Sequence, residues 1–212
     1  MPGNKSPKNV SLKCNFERRI VWLDCTDGPV NDRVALNFEN ILKKLNKANN
    51  NEVKMFISGR GGDFYACLKI MDSIKNSQSP VAIVAFNYVR SGCFLITQSE
   101  NAKRIGVDGT KFEFHCAVDT YCSQDFTNKK DFQFSQIDYV NKLKNLWLVD
   151  ASQSLIFAQK GRPASKIFKM VENEEVLSVR SALKYKLLDS SMRLKEFRRY
   201  QRLVFFAGTR RF

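Results

Sequence analysis

Nowhere in these 212 residues do the roughly 18 consecutive apolar residues of a membrane helix occur, so no transmembrane segment is expected. The first twenty residues are polar and basic and lack the apolar core of a secretory signal. The cytoplasm is therefore the expected compartment, or an organelle stroma or matrix in a eukaryote, though no transit peptide is evident. The six cysteines include no CxxC pair, and in a reducing compartment they are read as thiols. Histidine is scarcer still, with His115 alone. His115, Cys116 and Cys122 match no zinc spacing and lack a fourth ligand, so no metal is expected, and no cofactor is called for. Acidic residues number 21 against 35 basic ones, a net charge of +14. That excess invites a nucleic-acid reading. Its distribution argues against one, because residues 193–212 hold seven basic residues and one acid and so carry +6 of the total. A basic tail on a mildly basic body is a docking or solubility feature more often than a groove reader, and nucleic acid is not an expected partner.

What is present suits one soluble domain. The hydrophobic fraction is 43% and the charged fraction 26%, enough for a core of ordinary size. Residues 1–15 read as a flexible N-terminal arm, 16–192 as the folded domain and 193–212 as a basic C-terminal tail. RIVWL (19–23) is short, apolar and β-branched, a buried strand. Asp27-Gly28-Pro29 turns the chain, Asn31 or Asp32 can cap a helix, and Val34, Phe38, Ile41, Leu42 and Leu45 form its apolar stripe. VKMFIS (53–58) is a second strand, followed by Gly59-Arg60-Gly61-Gly62 and a helix with Cys67, Ile70, Met71 and Ile74 on one face. VAIVAF (81–86) is apolar throughout, as a strand covered on both faces should be. A tight turn is expected at Asn87–Ser91, then a buried helix in GCFLITQ, then strands at Arg104–Val107 and Phe112–His115. Residues 117–134 read as a loop and 135–159 as a long helix, apolar on several sides and ended by Gly161 and Pro163. Short helices are expected at 164–172 and from Ser178, as N-cap, to Lys186. Strand and helix alternate, which argues for an α/β fold with parallel pairing.

Between Ser58 and His115 two glycine-marked turns and the only histidine come together. Acyl transfer to water needs a nucleophile, a base, a carboxylate behind the base and N–H donors for the oxyanion. Exposed N–H groups at Gly61 and Gly62 could supply a donor, and His115 could be the base. Each feature has a plain alternative: double glycines often only turn the chain, and a lone histidine is more often structural.

In this order and with these gaps, the pieces resemble the Clp protease proteolytic subunit (ClpP) family of the ClpP/crotonase superfamily, from about Arg18 to Asp189. RIVWL…DGPVNDRVA resembles the family's first strand, Gly-Pro-Val turn and first helix. ISGRGG resembles its Asn-Ser-Pro-Gly-Gly turn, VRSGCFLIT its Ala-Ser-Met-Gly-Ala-Phe-Leu-Leu-Thr nucleophile turn, and KFEFH the strand ending in the catalytic histidine. QKGRP and ENEEVLSVRSALKYKLLD resemble the stretches that follow the family's long handle helix. The resemblance implies a spiral of β-β-α units with a protruding handle at about 117–160. It also implies stacked rings of ClpP-like subunits, an AAA+ ATPase partner of the Clp type, and protein or peptide substrates.

Carried across residue by residue, His115 falls on the catalytic histidine, Glu174 on the catalytic aspartate, and Gly61 and the Ser91 N–H on the oxyanion donors. The nucleophile position falls on Arg90 when the alignment runs without a gap from Gly92 to His115, and Ser91 lies one residue late. A slip of one residue turns a side chain by about 100° on an emerging helix and moves its attachment by about 3.8 Å. Nucleophile and base must approach to about 2.6–3.2 Å, so Ser91 should point away from His115 unless the turn is rebuilt. Arg90 cannot replace a hydroxyl, because guanidinium is always protonated. The reading taken first is a ring subunit of a Clp-type protease without peptidase activity of its own. The alternatives are an active serine endopeptidase using Ser91 with His115 and Glu174, a binding or regulatory module using the basic tail, and a crotonase-type acyl-CoA enzyme.

Overall fold

The computed structural model describes residues 10–114, 149, 151–153, 155–157, 164–206 and 210–211. Strands are β1 (Ser11–Asn15), β2 (Ile20–Cys25), β3 (Val53–Gly59), β4 (Val81–Arg90), β5 (Ala102–Val107), β6 (Lys111–Glu113), β7 (Val176–Ser178), β8 (Ser190–Met192) and β9 (Arg210–Arg211). Helices are α1 (Asp32–Ala48), α2 (Phe64–Lys75), α3 (Gly92–Thr97), α4 (Ala164–Glu172), α5 (Val179–Lys184) and α6 (Leu194–Phe206).

These strands form one sheet in the order β7-β6-β4-β3-β2-β1-β9, with β5 pairing β4 and β8 pairing β5. β2, β3, β4, β5 and β8 run parallel, and β1, β9 and β7 join antiparallel at the edges. Period-2 alternation divides the core. Val21, Leu23, Met55, Ile57, Ile83 and Ala85 face α1, α2 and α3. Ile20, Trp22, Phe56, Val84, Phe86 and Ile105 face α6. Coverage on both faces is why VAIVAF contains no polar residue.

The helices start where their caps allow. Asn31 accepts from the Val34 N–H at 3.0 Å to open α1, and Asp63 accepts from the Ala66 N–H at 2.8 Å to open α2. Phe38, Ile41, Leu42 and Leu45 are buried along α1 as the stripe predicts, with Val34 half-buried beside Ala35. Ser178 caps α5 by accepting from Ser181 N–H at 3.1 Å.

Three expectations need correction. Residues 11–15, assigned to a flexible arm, are β1 paired with β2, because Leu12 and Cys14 alternate inward within an otherwise polar stretch. The turn expected at Asn87–Ser91 is narrower: β4 continues to Arg90 and only Ser91 leaves it. Asn87, at φ 57, marks where β4 bends and exchanges β5 for β6 as its neighbour. The stretch 193–212, assigned to a basic C-terminal tail, is, over its described residues, part of the fold: α6 packs Phe197 and Val204 into the second face and β9 pairs with β1. Most of the long helix expected over 135–159 lies outside the described residues. Those described at 151–153 and 155–157 are helical, with Phe157 buried against Phe94 and Phe114 at ring distances of 4.8 and 4.9 Å.

Candidate active site

The two glycine turns meet at the carboxyl ends of β3 and β4, the end of a parallel sheet where ligands bind. At the end of β3 and just beyond it, Gly59, Gly61 and Gly62 take φ values of 113°, 93° and 159°. The left-handed values of Gly59 and Gly61 suit glycine, and space demands it as well. A side-chain carbon at Gly61 would lie 2.4 Å from the Gly92 nitrogen, and one at Gly62 would lie 2.3 Å from Val30. The turn is held in place by Val30 N–H to Gly61 O at 2.8 Å and Asp63 N–H to Val30 O at 2.9 Å. It therefore touches the second turn, at Ser91–Gly92, backbone to backbone.

At that second turn the chain reverses at Ser91, with φ 50° and ψ −127°. A non-glycine residue rarely adopts this conformation, which costs about 1–3 kcal/mol. Ser91 is the N-cap of α3, yet its side chain makes no capping hydrogen bond. Its N–H, expected as an oxyanion donor, instead donates to Glu113 O across the β4–β6 ladder at 3.4 Å. The first N–H beyond the reversal is that of Gly92.

Arg90 is the last residue of β4, opposite Glu113 in the register with β6. Its Nε lies 2.9 Å from Glu113 Oε1, an approach of charge rather than a straight hydrogen bond. The Arg90 side chain, about a third exposed overall, is thus drawn along the sheet toward β6. Glu113 was not singled out in the sequence, because nothing there reveals which strand neighbours β4 at its end.

His115 lies outside the described residues. Glu174 lies in the turn after α4, exposed, with φ 47°. β7 returns beside β6, where Glu113 pairs with Val176, and Phe114 N–H donates to Glu175 O at 3.1 Å. The strand leading to His115 and the turn bearing Glu174 are thereby tied together.

Three buried thiols back the turns: Cys25 at the end of β2, Cys67 in α2 and Cys93 in α3. Cys93 Sγ lies 3.7 Å from Ser58 O, and a carbon at Gly92 would meet Cys67 Sγ at 2.5 Å. Burial holds the Cys93 thiol well above its usual range. A hydrogen bond with Cys25 and the nearness of Cys25 and Cys67 add to this, and a Gly61 backbone hydrogen bond opposes it. Burial likewise raises Cys67. Protonated and enclosed, Cys67 and Cys93 are packing rather than nucleophiles. Among the described residues no group of three or more histidine, cysteine or acidic side chains could hold a metal ion, and no helix is long and apolar enough to cross a membrane.

Residues 9–194 match the family model described as Clp protease. The ATP-dependent Clp protease proteolytic subunit of Deinococcus radiodurans is 26% identical over 163 residues, covering 76% of this chain and 75% of that protein. The ATP-dependent Clp protease proteolytic subunit 2 of Prochlorococcus marinus is 24% identical over 193 residues, 89% of each. Among solved structures, ClpP1 from Listeria monocytogenes superposes with a TM-score of 0.63 at 20% identity, over 84% of this chain and 93% of that one. The ClpP protease catalytic domain from Plasmodium falciparum gives 0.65 at 19% identity, over 84% and 87%. These likenesses bear on the fold, an α/β arrangement of the ClpP type.

Proposed function

Because the chain belongs to the Clp protease family, we propose that it is a proteolytic subunit whose nucleophile is the Ser91 hydroxyl, with His115 as base and Glu174 as the carboxylate behind it. The observation that carries this reading is the backbone of Ser91, at φ 50° and ψ −127° between β4 and α3. A sharp strand-to-helix turn presents a serine hydroxyl outward, ahead of the helix, where a base can reach it. A serine that only capped α3 would take an extended backbone and accept an N–H. Ser91 does neither.

The chemistry then follows from the neighbours. Ser91 Oγ attacks the peptide carbonyl as its proton passes to His115, and the carbonyl oxygen becomes an anion. In the strand-to-helix nucleophile turn of α/β hydrolases one oxyanion donor is the N–H after the nucleophile. With Ser91 as nucleophile that N–H belongs to Gly92, which touches the Gly61–Gly62 turn. A preorganised donor of this kind is worth about 10²–10³ in rate. Arg90, beside Glu113, stays out of the reaction. Assembly with like subunits into rings, an AAA+ ATPase partner and a cytoplasmic location go with the same reading.

One observation favours a second reading, a ring subunit without activity. Arg90 places a permanent cation next to Ser91, and a cation near His115 would favour the neutral imidazole and compete for its carboxylate. Hydrolysis of a fluorogenic peptide separates the two. The first reading expects turnover that falls roughly a thousandfold or more in Ser91→Ala and survives in Arg90→Ala. Wild-type protein that is inert in its assembled state, with cleavage appearing only in R90S/S91M, would establish the second.

A further inference from the structure

We propose that the outward face of α6 is a docking ridge for an acidic segment of a partner protein. The helix begins where the family match ends, at residue 194, so the ridge lies beyond the region shared with the family. Its position is fixed at both ends, by β8 before it and by β9 against β1 after it. Its apolar face is already occupied: Phe197 stacks among Trp22, Phe56 and Phe86 at ring distances of 5.0–5.9 Å, and Tyr200 meets Phe56 at 5.4 Å. The helix is thus ordered without any partner, and what it offers outward is preformed.

What it offers is positive charge. Lys195, Arg198, Arg199 and Arg202 are all exposed. They stand at spacings of three, four and seven, a row roughly 10 Å long on one side of the helix. The spacing makes four like-charged neighbour pairs (195/198, 195/199, 198/202 and 199/202), each of which weakens an isolated helix. Lys195 also lies in the first turn, the end where the helix dipole disfavours a cation. Some cations elsewhere have a carboxylate partner: Lys43 has Glu39, Lys69 has Asp32, Lys75 has Glu100 and Arg104 has Asp189. The four on α6 meet no carboxylate among the described residues, and Glu196, the acid on the helix, pairs with none of them. An arrangement that weakens its own helix is explained by an anion that arrives from outside.

The class of anion follows from what the ridge lacks. Single-stranded nucleic acid is held by cations interleaved with stacking aromatics, and the described rings of α6, Phe197 and Tyr200, face the sheet. A lipid surface is held by apolar side chains below a basic face, and among the described apolar residues of α6, Phe197, Tyr200, Leu203 and Val204 are turned inward and Leu194 at its start is not. Three planar guanidiniums in a row suit the paired oxygens of successive carboxylates.

The test uses the full-length protein and fluorescence anisotropy at fixed salt with a fluorescein-labelled glutamate-rich peptide. A single-stranded oligonucleotide of equal charge and vesicles of phosphatidylglycerol with phosphatidylcholine serve as competing probes. The peptide should bind, and its Kd should rise at least tenfold in K195Q/R198Q/R199Q/R202Q. It should stay within twofold in R33Q/K44Q/K47Q/R180Q, which removes the same net charge elsewhere. Removing like charges should leave or raise the thermal midpoint of the α6 variant; R198Q alone should give a smaller rise in Kd and serves if the quadruple variant does not fold. Absence of peptide binding, equal weakening by both sets of substitutions, or tighter binding of the oligonucleotide or vesicles would overturn the proposal.

Discussion

Arg19 shows how much a single side chain can hold without an ion pair. Its guanidinium is buried and donates to three oxygens: Leu45 O at 2.8 Å, Asn51 O at 3.0 Å and Ser79 Oγ at 2.7 Å. The last turn of α1, the start of β3 and the turn before β4 are therefore fixed to the start of β2 by one residue. Burial pulls its pKa below the usual value, with Cys14 opposing. Arg19→Ala would remove these three hydrogen bonds from the junction, and the expected loss of stability is about 3 kcal/mol, read from urea unfolding. Arg19→Lys should recover less than half of it, because an ammonium does not reproduce the fork. A loss under about 1 kcal/mol for Arg19→Ala would show that water replaces the guanidinium. None of this was legible in RIVWL, since the partners are backbone oxygens scattered along the chain. Ser91 and Arg90 were legible as a problem but not as a geometry. Counting back from Gly92 put Arg90 at the nucleophile position, whereas the backbone reverses at Ser91. Where the strand ends is set by its ladder with β6, and a ladder cannot be read from one strand.

At the level of elements, sequence pattern succeeded wherever burial is periodic and local. α4 occupies 164–172 as expected, Ser178 caps α5, and the α1 stripe faces the core. It failed where long-range pairing decides. β1 is recruited by β2, and β4 persists past Asn87 because β6 takes over its edge. α6 failed in a third way, since its basic face was counted and its apolar face overlooked. Phe197, 4% exposed, lies against Trp22, Phe56 and Phe86. Removing the ring should therefore destabilise the whole fold rather than loosen a tail. Phe197→Ala is expected to cost about 3–4 kcal/mol in chemical unfolding, with one cooperative transition retained. A cost under about 1 kcal/mol would mean that α6 is not part of the cooperative core.

Across the whole molecule, the sheet serves as a frame that delivers several strand ends to one place. β2 ends at Cys25 and leads to Val30, β3 ends at the glycine turn, β4 ends at Arg90 and leads into Ser91, and β6 leads toward His115. The order of these pieces was legible, because glycine, proline and apolar runs mark each strand and turn in sequence. Their convergence was not. That Gly61 touches Gly92, or that Glu113 meets Arg90, follows from registers between strands distant along the chain. The account rests on Ser91 being the reactive hydroxyl, and covalent labelling tests this most directly. The assembled protein is treated with a fluorophosphonate, digested with trypsin and analysed by mass spectrometry. The adduct is predicted on Ser91 in the peptide 91–103, and absent from Ser91→Ala. No adduct in wild-type protein, under conditions that fully label an active serine peptidase, or an adduct that persists in Ser91→Ala, would contradict it.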